Sequence, residues 1–190
     1  MTDQLSRNQG YHHGNLRRAV LDAAVEAIAE QGTAGWSLRQ IARRAGVSHA
    51  APAHHFGDKA GLLTAVAAEG YARFADALEA AGDDLHDMGL AYIRFAVGHR
   101  AYFEVMFTPA LYRADDPDVA AARDRAARVL AGGVRSVSVG GAEDERTAGL
   151  AAWSIVHGFA HLWLSGALAD VGDDPVAVAR PVIRLLFDER

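Results

Sequence analysis

Apolar residues recur at three- and four-residue steps along most of the chain, and this period predicts helices rather than strands. From Asn15 the first such segment carries Leu16, Val20, Ala24 and Ile28 on one face, widened by Leu21 and Val25. Arg18, Asp22, Glu26 and Glu30 share the opposite, wet face, and Gly32 ends the helix. Residues 1–13 are polar with little periodicity and read as a flexible N-terminal arm. Trp36 reads as a core plug between this helix and the next. A long helix follows Asp58, with Leu62, Val66, Gly70, Phe74 and Leu78 at four-residue steps, ending around Gly82-Asp83-Asp84.

The second half keeps the helical period and is richer in aromatics. Leu90, Ile93 and Val97, with Tyr92, Phe95 and Ala96, predict a helix that breaks near Gly98-His99-Arg100, ahead of Tyr102-Phe103-Glu104-Val105-Met106-Phe107. Pro109 stops that segment, and residues 108–115 read as a loop. Asp116-Pro117 supplies an N-cap followed by proline at the first helical position, opening a helix to about Gly132. Val134-Arg135-Ser136-Val137-Ser138-Val139 is β-branched, but no second strand pattern offers it a partner, so it is assigned to a helix tail and loop. Ala142 to Leu168 forms a helix that is apolar nearly all round, which requires burial on more than one side. Packing the chain's own core on one face and a second copy of the chain on another meets that requirement, so a homodimer is predicted. Pro175 to Phe187 predicts a last helix with a kink or break at Pro181.

Between these blocks the signals become dense. Ser37 stands three residues before Gln40, the spacing of a reciprocal capping box, so a helix starts near Leu38. Leu38, Ile41, Ala42 and Ala45 form one apolar stripe while Arg39, Gln40, Arg43 and Arg44 point elsewhere. Gly46 ends this helix in a left-handed conformation, and Ser48 caps a second one. Its exposed positions His49, Ala50, Ala51 and Ala53 are short, which favours close approach to a groove wall. Pro52 is tolerable only within the first turn, so this helix is short. Asp58 caps the long helix that follows, which places the cation of Lys59 at a positive helix end. A phosphate shared between Lys59 and free backbone N–H groups explains that residue better than helix stability does. The whole pattern is that of a helix-turn-helix.

Charge divides the chain along the same line. The net charge of −5, taken whole, argues against nucleic acid, but seven basic and five acidic side chains through Lys59 leave +2 there and −7 on the remainder. Five of the nine histidines also lie in the first part, where each can become a cation near phosphate. With 190 residues and half the composition apolar, two small cores are expected. There is no cysteine, which removes disulfides, thiolate nucleophiles and thiolate metal sites. No uncharged apolar run reaches membrane-spanning length and Met1-Thr2-Asp3-Gln4 lacks a secretory pattern, so a soluble cytoplasmic protein is predicted, with no membrane partner.

Residues 11–70 resemble the N-terminal domain of the TetR family of bacterial regulators, through Leu38-Arg39-Gln40-Ile41-Ala42, Ala45-Gly46-Val47-Ser48, His55-Phe56, Asp58-Lys59 and Leu62-Leu63. Tyr11-His12-His13-Gly14-Asn15-Leu16-Arg17, and later Trp153 and His157-Gly158, resemble one subgroup whose C-terminal domain is named for its Trp and His-Gly motif. The resemblance implies an all-α fold, with a helix-turn-helix DNA-binding domain over 14–60 and an effector-binding and dimerisation domain over 61–190. It implies a repressor, not an enzyme, that binds palindromic operator DNA as a homodimer, the last two helices pairing across a twofold axis, and that a small molecule releases. No cofactor is called for. In one place the pattern departs: a family Tyr that touches a DNA phosphate is here Ala53.

The candidate DNA contacts are Lys59, Ser37, Arg39, His55 and Tyr11 to the backbone, and Ser48, His49, Ala50 and His54 to base edges. The candidate effector site gathers Tyr92, Phe95, Tyr102, Phe103, Met106, Phe107, Trp153 and His157, where aromatics are richer than a core of this size requires and where the family places its cavity. It would take an apolar or aromatic molecule, oriented by His157, Tyr92 and Tyr102. The alternative is a metal-responsive regulator or a metal-dependent enzyme built on His157 and His161, which share a helix face at i and i+4. No Glu completes a His-Glu-x-x-His motif and a third ligand must come from elsewhere, so no metal site is assigned.

Overall fold

Helices begin where the polar caps stand. The computed structural model describes residues 3–137 and 142–187, and among them every regular element is helical. In order these are α1 (Asp3–Gln31), α2 (Leu38–Arg44), α3 (Ala51–Phe56), α4 (Lys59–Ala80), α5 (Leu85–Gly98) and α6 (Arg100–Met106), a 3-10 turn (Pro109–Leu111), then α7 (Pro117–Val137), α8 (Ala142–Leu164) and α9 (Pro175–Phe187). The Ser37 capping box forms as expected, with Ser37 N donating to Gln40 Oε1 at 2.7 Å and Gln40 N to Ser37 Oγ at 3.4 Å. Asp58 accepts from Gly61 N at 2.7 Å, and Asp116 accepts from Asp118 N at 3.0 Å. Gly46 takes a φ of 66° after α2.

Several boundaries differ from the sequence pattern. The stretch read as an arm is helical from Asp3, the helix running through Gly10 and Gly14 into Asn15 without a break. Ser48 does not cap α3. Ala50 is its N-cap, without a side-chain bond, and Ser48 instead accepts from Ala51 N through its backbone carbonyl at 3.0 Å. A start at Ser48 would put Pro52 at the fourth helical position, where its missing N–H would cost an intrahelical bond; the later start places it in the first turn. α7 takes in the β-branched run as far as Val137, and the rest of that run lies outside the described residues. α8 stops at Leu164, where Ala167 N donates to Leu162 O and Gly166 N to Trp163 O, a Schellman closure that the apolar pattern ran past. Pro181 sits inside a helix that continues through it.

The two expected cores are one. Buried side chains run contiguously from Val20 and Ile41, through Leu62 and Phe74, to Phe103, Phe159 and Ile183, with only Leu85, Val134 and Ala152 as a satellite. α4 explains the merger: it packs on α1 and α3 near its start and on α6 and α7 along its length. A polar joint reinforces it. Glu69 of α4 accepts from Arg18 of α1 at 2.7 Å, Tyr102 of α6 at 2.9 Å and Arg73 at 2.8 Å. Burial opposes ionisation of Glu69, but these three bonds outweigh it and hold the carboxyl below its ordinary value. No helix among the described residues is long and apolar enough to cross a membrane.

Candidate nucleic-acid interface and ligand cavity

At one end of the molecule α2 and α3 present a face with no acidic residue between Ser37 and Gly57. Ser37, Arg39, Ser48, His49, Ala50 and His54 are all exposed, and His55 is half-buried beside His54 and Phe56. Among the described residues Arg39 and Arg43 have no ion-pair partner, whereas Arg44 turns back to Glu30 at 2.8 Å and to Glu26 at 3.6 Å. Arg43 thus joins the candidate contacts; the candidates drawn from the sequence omit it, although its place on the basic side of the α2 stripe is the signal. The side chain of Tyr11 lies outside the described residues. Ala53 is exposed and offers no polar group at the family's phosphate-binding position.

Lys59 has partners inside the protein besides the phosphate its helix position suggests. Its Nζ donates to Trp36 O at 2.9 Å and Ala34 O at 3.4 Å and stands 4.1 Å from the centroid of the Trp36 ring. Burial lowers its pKa. The loop between α1 and α2 therefore has its own claim on this cation. Gly61 fixes the joint between α3 and α4: a Cβ there would lie 1.9 Å from Phe56 O.

At the other end, a cavity of about 960 Å³ opens between α4, α5, α7 and α8. Of the candidate effector residues, Tyr92, Met106, Phe107, Trp153 and His157 line it. Phe95, Tyr102 and Phe103 do not. Phe95 packs against Phe74 and His99, the Tyr102 hydroxyl serves the Glu69 joint, and Phe103 is 1% exposed among Tyr92, His157 and His161. Tyr71, Phe74 and Met88 also line the cavity, and from the sequence alone they pass for helix filler; the small residues on α7 that leave the space open give no signal there.

The polar groups at the aromatic wall are mutually occupied. Trp153 Nε1 donates to Tyr92 Oη at 3.3 Å, and Tyr92 Oη shares a hydrogen bond of 2.7 Å with His157 Nδ1. Burial, then the neighbouring His161, holds the pKa of His157 below its usual value, and burial pushes the Tyr92 hydroxyl up. Tyr71 and Tyr112 both donate to Met106 O, at 3.0 and 2.9 Å. The His157 and His161 rings lie 4.6 Å apart, but no group of three or more His, Cys, Asp or Glu that could hold a metal stands together among the described residues. With His157 already bonded to Tyr92 and no third ligand beside the pair among the described residues, metal chemistry is not favoured.

Residues 20–66 match the model of the bacterial regulatory proteins of the tetR family, and residues 85–186 match the tetracyclin repressor-like C-terminal domain. The HTH-type transcriptional regulator BetI of Escherichia coli is 53% identical over 49 residues, 26% of this chain and 25% of BetI, so the match spans about a quarter of that relative's length. A structure of a protein of unknown function from Rhodococcus sp. RHA1 is 32% identical, with a TM-score of 0.73 over 94% of this chain and 97% of that one. The TetR family transcriptional regulator PfmR from Thermus thermophilus shares the fold, at 24% identity and a TM-score of 0.68 over 90% and 96% of the two chains.

Proposed function

The chain belongs to the TetR family of transcriptional regulators, and from that premise we propose a repressor that works in the cytoplasm as a homodimer on an imperfect palindromic operator. An apolar small molecule entering the cavity releases it. One observation carries the reading: a cationic face with no acidic residue from Ser37 to Gly57 and an aromatic-walled cavity stand at opposite ends of one continuous core, joined by α4. A guest in the cavity displaces DNA only if it binds better to a conformation in which the two recognition helices are wrongly spaced.

The dimer reading is supported by the apolar side chains that a single copy leaves exposed on α8 and α9: Leu150, Trp153, Leu162, Val182 and Leu185, the last 81% exposed. The twofold pairing of these helices presents two α3 helices to two half-sites. Trp153 and His157 lie together on α8 at the cavity, with Gly158 next in the helix, which supports the subgroup named for those residues. On the DNA face, Arg39, Arg43, Ser37, His55, Lys59 and Tyr11 serve the backbone, and Ser48, His49, Ala50 and His54 serve base edges.

Selection of bound sequences from random duplexes, followed by titration of variants on the recovered palindrome, tests the assignment. Arg39→Ala should weaken all duplexes by a similar factor and reduce the salt dependence, while His49→Ala should change sequence preference. Lys59→Ala should also lower stability, by about 1 kcal/mol, through the lost carbonyl bonds. Unchanged binding in both Arg39→Ala and His49→Ala would remove this surface from the DNA interface.

A further inference from the structure

The cavity is apolar within and selective only at its edge. Its wall hydroxyls are all engaged: Tyr71 and Tyr112 on Met106 O, Tyr92 on His157. Along α7 the lining positions are Ala126, Ala127, Leu130, Ala131 and Val134, at helical spacing on one face, and Arg123 stands one turn before them on the same face. This small-residue stripe is roughly 16 Å long including Arg123, at 1.5 Å per residue. Arg123 is the one charged lining residue at its end of the stripe, and among the described residues it has no ion-pair partner. Its side chain is exposed, so it stands where the cavity meets solvent. At the far end Arg135 and Arg146 are accompanied by Glu145. An otherwise acidic body thus collects three arginines against a single carboxylate around one apolar space.

We propose that this cavity takes an elongated amphipathic anion, with its carboxylate at Arg123 and its apolar body along the α7 stripe, against Tyr71, Phe74, Met88 and Phe107. The proposal rests on the effector reading above and names the class of ligand for that site. An uncharged hydrocarbon would make no use of the Arg123 charge at the cavity's edge, and a cation would meet like charge at both ends. A carboxylate accepts the guanidinium's paired N–H groups in a fork that neither can match.

The test is calorimetric titration of the full-length protein with three probes of equal chain length, decanoate, decanol and decylammonium, and with naphthalene methanol as an uncharged aromatic. Variants are Arg123→Ala, Arg123→Lys, the Arg135→Ala/Arg146→Ala pair and Trp153→Ala, each checked for parental thermal unfolding. Decanoate should bind about tenfold tighter than decanol, the size of one charge-assisted bond, and decylammonium weakest. Arg123→Ala should erase the preference for the acid and leave decanol unchanged, Arg123→Lys should restore part of it, and the double variant should keep it. Equal binding of acid and alcohol in the parent overturns the proposal, as does a preference that survives Arg123→Ala or depends on Arg135 and Arg146 instead. If decanoate fails while the aromatic alcohol binds and loses affinity in Trp153→Ala, the anion is wrong and the effector cavity stands. If no probe binds, both fall.

Discussion

At the α2–α3 end the outward side chains are cationic and short of partners, while the inward ones close tightly around Trp36, Ile41 and Phe56; in the body ion pairs gather along α4, at Glu69, Arg73, Asp76 and Glu79, and the inward side chains stop short of closing. The difference follows from how each region is held. Around α2 and α3 a few bonds between near neighbours fix the shape: the Ser37 box, the Asp58 cap, and the Lys59 bonds to Trp36 and Ala34. That leaves Arg39 and Arg43 with nothing to do inside the protein. In the body the walls come from helices far apart in sequence, and Ala126, Ala127 and Ala131 on α7 are too small to fill the gap opposite Phe74 and Tyr92. One region is built to hold its shape against a rigid partner. The other is built to keep space open for a guest.

The sharpest way to break the first region is Gly61→Ala. The added Cβ would fall 1.9 Å from Phe56 O and 2.7 Å from Arg113 Nη1, and the first of these is backbone that cannot swing aside. A loss of more than about 3 kcal/mol is expected in chemical denaturation, with operator binding lost alongside. Near-parental stability would mean that α3 and α4 are not locked at the angle described.

Glu69→Ala should cost about 2 kcal/mol, because it leaves Arg18, Tyr102 and Arg73 without their common acceptor and loosens α1 from α6. The acid limb gives the sign. With its folded pKa held below the ordinary value, Glu69 contributes stability that is fully present above the carboxylate range and fades as pH falls through the lowered folded pKa. Glu69→Gln should therefore flatten the loss of stability on acidification, measured by denaturant midpoints from pH 6 downward. An acid limb identical to the parent's would remove Glu69 as the joint.

How much of each region was legible follows the same division. The capping box, Gly46, the short helix around Pro52 and the Asp58 cap are written within a few residues of where they act, so the chain spells them out. Ser48 misled for a related reason: it is a good cap by type, but Pro52 decides where α3 starts. The cavity was half legible. Tyr92, Met106, Phe107, Trp153 and His157 stood out as surplus aromatic and polar residues, yet Phe95, Tyr102 and Phe103 carry the same chemistry and are spent on the core and the Glu69 joint. Which aromatic faces a void depends on how α4, α5 and α7 cross, and Arg123 and the alanines of α7 read as an ordinary solvated helix until that crossing is known. Lys59 shows the limit most clearly, since its partners at Ala34 and Trp36 lie outside its own helix.

The smallest expected effect on stability is the most informative about how the two regions communicate. Arg113 Nη2 holds both carboxylate oxygens of Asp58, at 3.0 and 2.9 Å, and its backbone N–H donates to Thr64 Oγ1 at 3.0 Å. Asp58 is the cap of α4 and the neighbour of Lys59, while Arg113 directly follows Tyr112 on the cavity wall. The pair thus ties the wall of the cavity to the start of the helix that carries the DNA-binding end. Both side chains are at least half exposed, so Arg113→Ala should change stability by no more than about 1 kcal/mol, a shift of a few degrees in thermal midpoint for a chain of this size. Its effect should appear in the coupling instead. Operator affinity measured with and without a saturating cavity probe should differ by a smaller factor in Arg113→Ala than in the parent, and by reciprocity the probe's affinity should depend less on operator. If that factor is unchanged, α4 carries the signal without the clasp. If the factor falls only together with a drop of several kcal/mol in stability, Arg113 is structural, and the two regions are joined through the core alone.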